Sequence, residues 1–149
     1  MRLQRLVMPE TDATSWTVIG DDGDPVAPVE AYLVHLSALE RSPETVRAYA
    51  FSLKLWFEFL ARVDLAWDGV SVEDVSTFVA WLRAPTPSID PGVTRRRSPV
   101  TVNRYLAGVF GFYDFHARYG VAVASGLVTW RRGGRGSYKP FLYHVTATP

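Results

Sequence analysis

Apolar residues recur at three- and four-residue intervals along most of this chain, the period of helices buried on one face. The first such run opens after Pro25 and Pro28, both tolerated in a first helical turn. It sets Val29, Tyr32, Leu33, Leu36 and Leu39 on one side and predicts a helix over residues 27–40. A second helix starts more sharply: Ser42 is a capping residue, Pro43 suits the first helical position, and Glu44 puts a carboxylate at the positive end of the dipole. Its stripe is Val46, Tyr49, Leu53, Trp56, Phe57 and Leu60, running out near Arg62. A third begins at Ser71, with Glu73 and Asp74 in its first turn and Val72, Val75, Phe78, Val79 and Leu82 facing inward. The fourth starts at Ser98-Pro99, packs Val102, Tyr105, Leu106, Val109, Phe112 and Tyr113, and stops near Tyr119, where Gly120 can take the left-handed cap.

Between and around these helices the pattern changes. Residues 84–97 read as a loop carrying Pro85, Pro87 and Pro91 and ending in Arg95-Arg96-Arg97. Residues 1–24 read as an extended arm, with a β-prone stretch at 15–19 and a turn at 20–24. Residues 121–130 suit a short helical or extended piece, and the Arg/Gly-rich stretch from 131 suits a flexible basic linker. The last residues carry Phe141, Leu142, Tyr143 and Val145 with nothing left to pack on, as expected of a chain that continues into another domain. The expected fold class is all-α: a four-helix bundle over residues 25–130, an N-terminal arm over 1–24 and a C-terminal linker over 131–149.

At 149 residues and 48% hydrophobic composition, the chain is long enough for one domain with a real core. It contains no cysteine, which excludes disulfides, thiol nucleophiles and Cys-ligated metals. No apolar run reaches the ~18–20 residues that span a bilayer, and the start lacks a signal peptide's apolar region. The expectation is a cytoplasmic protein with no membrane partner, no cofactor and no small-molecule substrate. The net charge of +1 hides an asymmetry: residues 1–93 hold fourteen of the fifteen acids against seven bases, whereas residues 94–149 hold nine bases against Asp114 alone. Fourteen of the sixteen bases are arginine, whose planar fork suits phosphate and guanine. A basic third of this kind points to a polyanion partner, or to no more than a solvated surface.

Two segments 56 residues apart echo one another. Arg41-Ser42-Pro43-Glu44-Thr45-Val46-Arg47-Ala48-Tyr49 aligns with Arg97-Ser98-Pro99-Val100-Thr101-Val102-Asn103-Arg104-Tyr105, and the match continues through Phe57 and Tyr113, Glu58 and Asp114, and Arg62 and Arg118. Capping explains Ser-Pro-x-Thr at both starts; it does not demand the arginine before each cap or the shared tyrosine. Helix starts expose N–H groups and a positive dipole end that attract phosphate. The candidate DNA contacts are therefore Arg41, Ser42, Thr45, Arg47 and Lys54 around the second helix. Around the fourth they are Arg95, Arg96, Arg97, Ser98, Thr101, Asn103 and Arg104, and in the linker Arg131 and Arg132. Arginine and asparagine are also the side chains that read guanine and adenine in the major groove. Gly108 and Gly111 suit tight helix packing.

The run from Arg41 to Tyr49, the aromatic helix ending Phe57-Glu58-Phe59-Leu60, the Trp67-Asp68-Gly69-Val70-Ser71 lead into the third helix, and Ser98-Pro99 through Tyr113-Asp114-Phe115 together resemble the N-terminal core-binding domain of tyrosine recombinases, the group of phage integrases, resolvases and related transposases. The resemblance spans about residues 26–145. It implies a SAM-like four-helix bundle forming half of a clamp on double-stranded DNA, with other recombinase protomers as partners in a synaptic complex. It also implies that the family's catalytic Arg, Lys, His-x-x-Arg and Tyr belong to a second domain. No catalytic residue is assigned here; His116-Ala117-Arg118 has the wrong spacing. The resemblance thus implies sequence-specific DNA binding by a chain that is not an enzyme by itself.

Two rival readings remain at this stage. A helical protein–protein adaptor would use the exposed aromatics and keep its arginines for solubility. A self-contained enzyme would need an acid–base pair or nucleophile constellation that the sequence does not display. Asp21-Asp22-Gly23-Asp24 lacks the ligand pattern of a calcium loop, and Gly133-Gly134-Arg135-Gly136 lacks the Lys-Ser/Thr of a phosphate-binding loop. Three scattered histidines, His35, His116 and His144, do not make a metal site.

Overall fold

Each of the four apolar stripes forms a helix. The computed structural model describes residues 1–7, 9–87 and 89–119, and within them the order is β1 (Arg2–Val7), β2 (Thr14–Ile19), α1 (Ala27–Ala38), α2 (Pro43–Arg62), a 3-10 turn (Trp67–Gly69), α3 (Val72–Arg83), β3 (Thr86–Pro87), β4 (Thr94–Arg95) and α4 (Pro99–Arg118). The expected 121–130 element, the linker over 131–149 and its Arg131 and Arg132 lie outside the described residues.

The helix boundaries follow local chemistry. Ser42, Ser71 and Ser98 cap α2, α3 and α4, and at α3 the Asp74 carboxylate returns a bond to the Ser71 N–H, closing a capping box. α1 stops two residues short of its expected end because Glu40 takes a left-handed conformation, φ 59°. The N–H groups of Glu40 and Arg41 then close on the carbonyls of Ser37 and Leu36, a Schellman ending without glycine. α2 ends the same way at Asp64, φ 57°, with Leu65 N–H on the Leu60 carbonyl.

Residues 1–24 are not an arm. β1 and β2 pair as an antiparallel hairpin, from Arg2 opposite Ile19 to Val7 opposite Thr14, so the architecture is four helices plus a small sheet rather than purely α. The reason is tertiary. Side chains alternate across a strand, and one face of the hairpin, with Leu3, Arg5, Trp16 and Val18, lies toward α2. The other face presents Leu6, Ser15 and Thr17 to Glu30, Leu33, Val34 and Ser37 of α1, and the hydroxyls of Ser15 and Ser37 bond at 3.1 Å. Wedged between two helices, the strand buries Val18 completely. The 84–97 loop also carries a short ladder, Thr86 with Arg95 and Pro87 with Thr94, turned through Gly92 at φ 78°.

The core is aromatic. Trp56 is fully buried, with Phe78 at 4.9 Å, Phe59 at 5.8 Å and Tyr113 at 6.1 Å between ring centroids. Its indole N–H donates to the Tyr113 hydroxyl at 3.1 Å, and that hydroxyl donates to the Trp67 carbonyl, so the polar tips of both buried rings are satisfied. Burial pushes the Tyr113 phenol well up. His116 closes the other side of the core, its Nε2 at 2.9 Å from the Pro28 carbonyl, tying α4 to the start of α1.

Burial pushes the His116 pKa down, with the Pro28 carbonyl partly opposing the shift. The unfolded chain, with an imidazole pKa near 6.5, therefore takes up a proton before the folded one does. Stability is full above about pH 6.5 and falls as pH drops through the window beneath it. Thermal melts between pH 7.5 and 5.0, above the carboxylate range, should show this loss, and His116→Gln, which keeps a donor for Pro28, should flatten it. Parallel profiles for the two proteins would mean that His116 is not the titrating group.

Candidate nucleic-acid interface

The starts of α2 and α4 are built alike. Ser42 and Ser98 are extended, φ −62°, ψ 152° and φ −70°, ψ 158°, and each hydroxyl oxygen accepts from the N–H of the threonine three residues on at 3.2 Å. The Ser and Thr hydroxyls also bond to each other, at 2.9 Å between Ser42 and Thr45 and 3.1 Å between Ser98 and Thr101. Pro43 and Pro99 have no N–H. Each start therefore keeps one first-turn N–H, of Glu44 and of Val100, without a protein acceptor among the described residues. The two starts differ in charge: α2 carries the Glu44 carboxylate in its first turn, and α4 carries no acid there. The α4 start is the more favourable place for a phosphate.

Side-chain pairs show that both starts lie at one end of the molecule. Phe51 meets Tyr105 at 5.7 Å, Trp56 meets Tyr113 at 6.1 Å, and Phe57 meets Phe112 at 5.8 Å, so residue numbers rise together along the two helices and α2 and α4 run parallel. These partners are offset by 54 to 57 positions, close to the 56-residue spacing of the sequence echo, so the repeated segments pack on one another nearly in register. Glycine permits the closest approach. A Cβ on Gly108 would stand 2.8 Å from that of Ser52. Ser52 itself is buried and returns its hydroxyl to the Ala48 carbonyl at 3.0 Å. Above this contact, toward the helix starts, Thr45, Ala48, Tyr49, Ser52, Arg104 and Ala107 line a groove of about 200 Å³. Arg104 is exposed at its side.

The other predicted contacts are placed differently. Arg47 does not enter the groove: its guanidinium carbon sits 5.2 Å from the centre of the Trp16 ring in β2. Lys54 pairs with Glu58 one turn along, Nζ to Oε1 at 2.5 Å, and lies 5.9 Å from the Phe51 ring. Arg97 is half-buried; it donates to the Leu82 carbonyl at 3.3 Å and rests 5.9 Å from the Tyr105 ring, while Arg83 donates back to the Arg97 carbonyl at 3.1 Å. That exchange fastens the end of α3 to the start of α4. Arg95, Arg96 and Arg41 are exposed beside the helix starts, and Asn103 is half-buried on α4.

Parallel helices sharing one capped end, with an arginine-lined groove between them, agree with a comparison of the whole sequence against known families. The profile of the phage integrase N-terminal SAM-like domain matches residues 29–120. The chain belongs to this family. The matched stretch runs from the first turn of α1 to the end of α4, and the β1–β2 hairpin precedes it.

The chain is also 28% identical over 148 residues to transposase A from transposon Tn554 of Staphylococcus aureus, in strain Mu50 and in strain N315 alike. The alignment covers 97% of the chain and 40% of each relative, so the chain spans about two fifths of the length of the curated relatives it matches. No solved structure gives a significant match. Several groove residues escaped the reading of the sequence. Tyr49 was expected in the core stripe but is half-buried and lines the groove, and Ala48, Ser52 and Ala107 carried no signal beyond being small.

Proposed function

We propose that this chain is the DNA-binding module of a tyrosine-type recombinase or transposase, seating the parent protein on one arm of its recombination site and meeting neighbouring protomers there. The observation that carries the reading is the parallel, in-register pairing of α2 and α4, which sets two Ser-Pro-capped starts side by side with Arg104 in the groove between them. The transposase relatives support it. In this reading strand cleavage and rejoining belong to a second domain, and the chain itself supplies affinity and orientation. Its place is the bacterial cytoplasm, where the DNA is; no described helix is long and apolar enough to cross a membrane.

Phosphate contacts made by arginines release counterions, so affinity falls with salt by about 0.9 logarithmic units per contact. Four or five contacts around the helix starts give an expected slope near −4. Fluorescence anisotropy of the 149-residue chain with a mixed-sequence 30-base-pair duplex, from 25 to 200 mM salt, measures it. No binding at 25 mM, or a slope indistinguishable from zero, removes the reading and leaves the protein-interaction alternative.

A further inference from the structure

The hairpin brings a second cationic feature to the same end of the molecule. Arg5 stands directly opposite Trp16 in the β1–β2 register, so the two side chains share one face of the ladder. The same indole carries Arg47 of α2 at 5.2 Å. Trp16 is half-buried against the core, whereas Arg5 and Arg47 are exposed. The ion pairs among the described residues are Met1 with Asp21, Lys54 with Glu58 and Asp114 with Arg118, which leaves neither Arg5 nor Arg47 with an acid. Trp16 thus carries the Arg47 guanidinium on its ring and shares its face of the ladder with Arg5, and neither arginine has an acid within ion-pair distance among the described residues.

The direction of the hairpin is fixed at its other end. Met1 and Asp21 border Glu58, Ala61 and Arg62 late on α2, while Trp16 meets Arg47 early on it, so the hairpin's turn points toward the α2 start. Arg47 lies five residues after Ser42, roughly 7 Å along the helix. The turn itself carries the exposed acids Glu10 and Asp12. These confine any contact with an anion to the strand residues.

We propose that Arg5 and Arg47, set around Trp16, form a phosphate clamp on the DNA backbone flanking the α2–α4 groove, with Trp16 as the positioning residue. The clamp rests on the reading of the groove as a DNA site and extends it: the hairpin, which lies ahead of the stretch matched by the family profile, becomes part of the interface. Because the contacts go to phosphate, they add affinity without sequence preference.

The test is a salt titration of the full chain against one duplex for wild type, Arg5→Ala, Arg47→Ala, the double variant, Trp16→Phe, Trp16→Ala and Arg104→Glu, with thermal melts confirming the fold of each. Arg5→Ala and Arg47→Ala should each weaken binding about 3- to 10-fold on every duplex sequence and flatten the salt slope by about 0.9, the double variant by about twice that. Trp16→Phe should keep the Arg47 contact, and Trp16→Ala should lose it without further loss on adding Arg47→Ala. A scan of the duplex with charge-neutral methylphosphonates should find flanking positions that matter to wild type and no longer matter to the double variant. Unchanged slopes for Arg5→Ala and Arg47→Ala, beside a large loss for Arg104→Glu, overturn the clamp and leave the groove standing. A wild-type chain that binds no DNA overturns the groove reading and the clamp with it. If Arg5→Ala instead abolishes binding to anionic vesicles and leaves DNA affinity intact, the clamp serves another surface and the proposal fails.

Discussion

Arg104→Glu should weaken DNA binding by about 100-fold at 100 mM salt while leaving the melting temperature unchanged within a degree or two. The residue is exposed, so the fold loses little: surface substitutions away from special contacts stay within about 0.5 kcal/mol. Binding loses much. The substitution removes a guanidinium from the groove lined by Thr45, Tyr49 and Ser52 and puts a carboxylate where phosphates approach the acid-free start of α4. It costs one counterion-releasing contact and adds a repulsion, so the salt slope should fall by more than one unit. Arg118 is the matched control. It lies fourteen residues further along the same helix, about 21 Å away, and is paired with Asp114 at 3.4 Å. Arg118→Glu should change affinity less than 3-fold. Equal losses for the two reversals would mean that diffuse positive charge, and not the groove, attracts DNA. No loss for either would leave the adaptor reading.

What the chain revealed in advance follows the range of the interactions involved. α2 and α4 were legible almost to the residue because their starts are set by three or four consecutive side chains: Ser42-Pro43 with Thr45, and Ser98-Pro99 with Thr101. Their parallel pairing was not read from the sequence, although the 56-residue echo falls close to the spacing at which Phe57 meets Phe112 and Trp56 meets Tyr113. The end of α1 was less so. Nothing in Leu39-Glu40-Arg41 marks a left-handed residue, and the turn is made by Glu40 where glycine is the usual signal. The hairpin was hidden for a different reason. Arg2 to Val7 does not alternate cleanly, because its two faces dock on two different helices, and the partners that hold it come from residues 30 to 47. The same non-local docking sorted the candidate contacts. Arg47, Lys54 and Arg97 look equivalent as basic residues on or beside α2 and α4, yet Trp16, Glu58 and the Leu82 carbonyl give each a separate setting. Of the candidate contacts among the described residues, Arg104 and Thr45 line the groove.

Trp56→Ala should be the most destabilising single substitution in the domain, by about 3–5 kcal/mol, the usual range for deleting a buried aromatic. Trp56 has no exposed surface and touches α3 through Phe78 at 4.9 Å and α4 through Tyr113 at 6.1 Å, so its loss opens a cavity where three helices meet. It also leaves the Tyr113 hydroxyl without its 3.1 Å donor. Against a total stability of roughly 5–15 kcal/mol, the melting temperature should drop by about 10–20 °C. Trp56→Phe separates the two contributions: it keeps most of the ring and removes only the N–H, and should cost about 1–3 kcal/mol, as should Tyr113→Phe. Because each partner strands the other, the double variant should cost less than the two singles together by at least about 0.5 kcal/mol. The same tryptophan links stability to binding. It holds α2 and α4 in the register that keeps their starts together, so lowering temperature or adding an osmolyte to refold Trp56→Ala should restore DNA affinity in proportion to the folded fraction. The loss in Arg104→Glu should persist however stable that variant is. A Trp56→Ala chain that melts within a few degrees of wild type would show that this ring does not anchor the parallel pair, and with it would go the physical basis for placing both helix starts on one DNA-facing end.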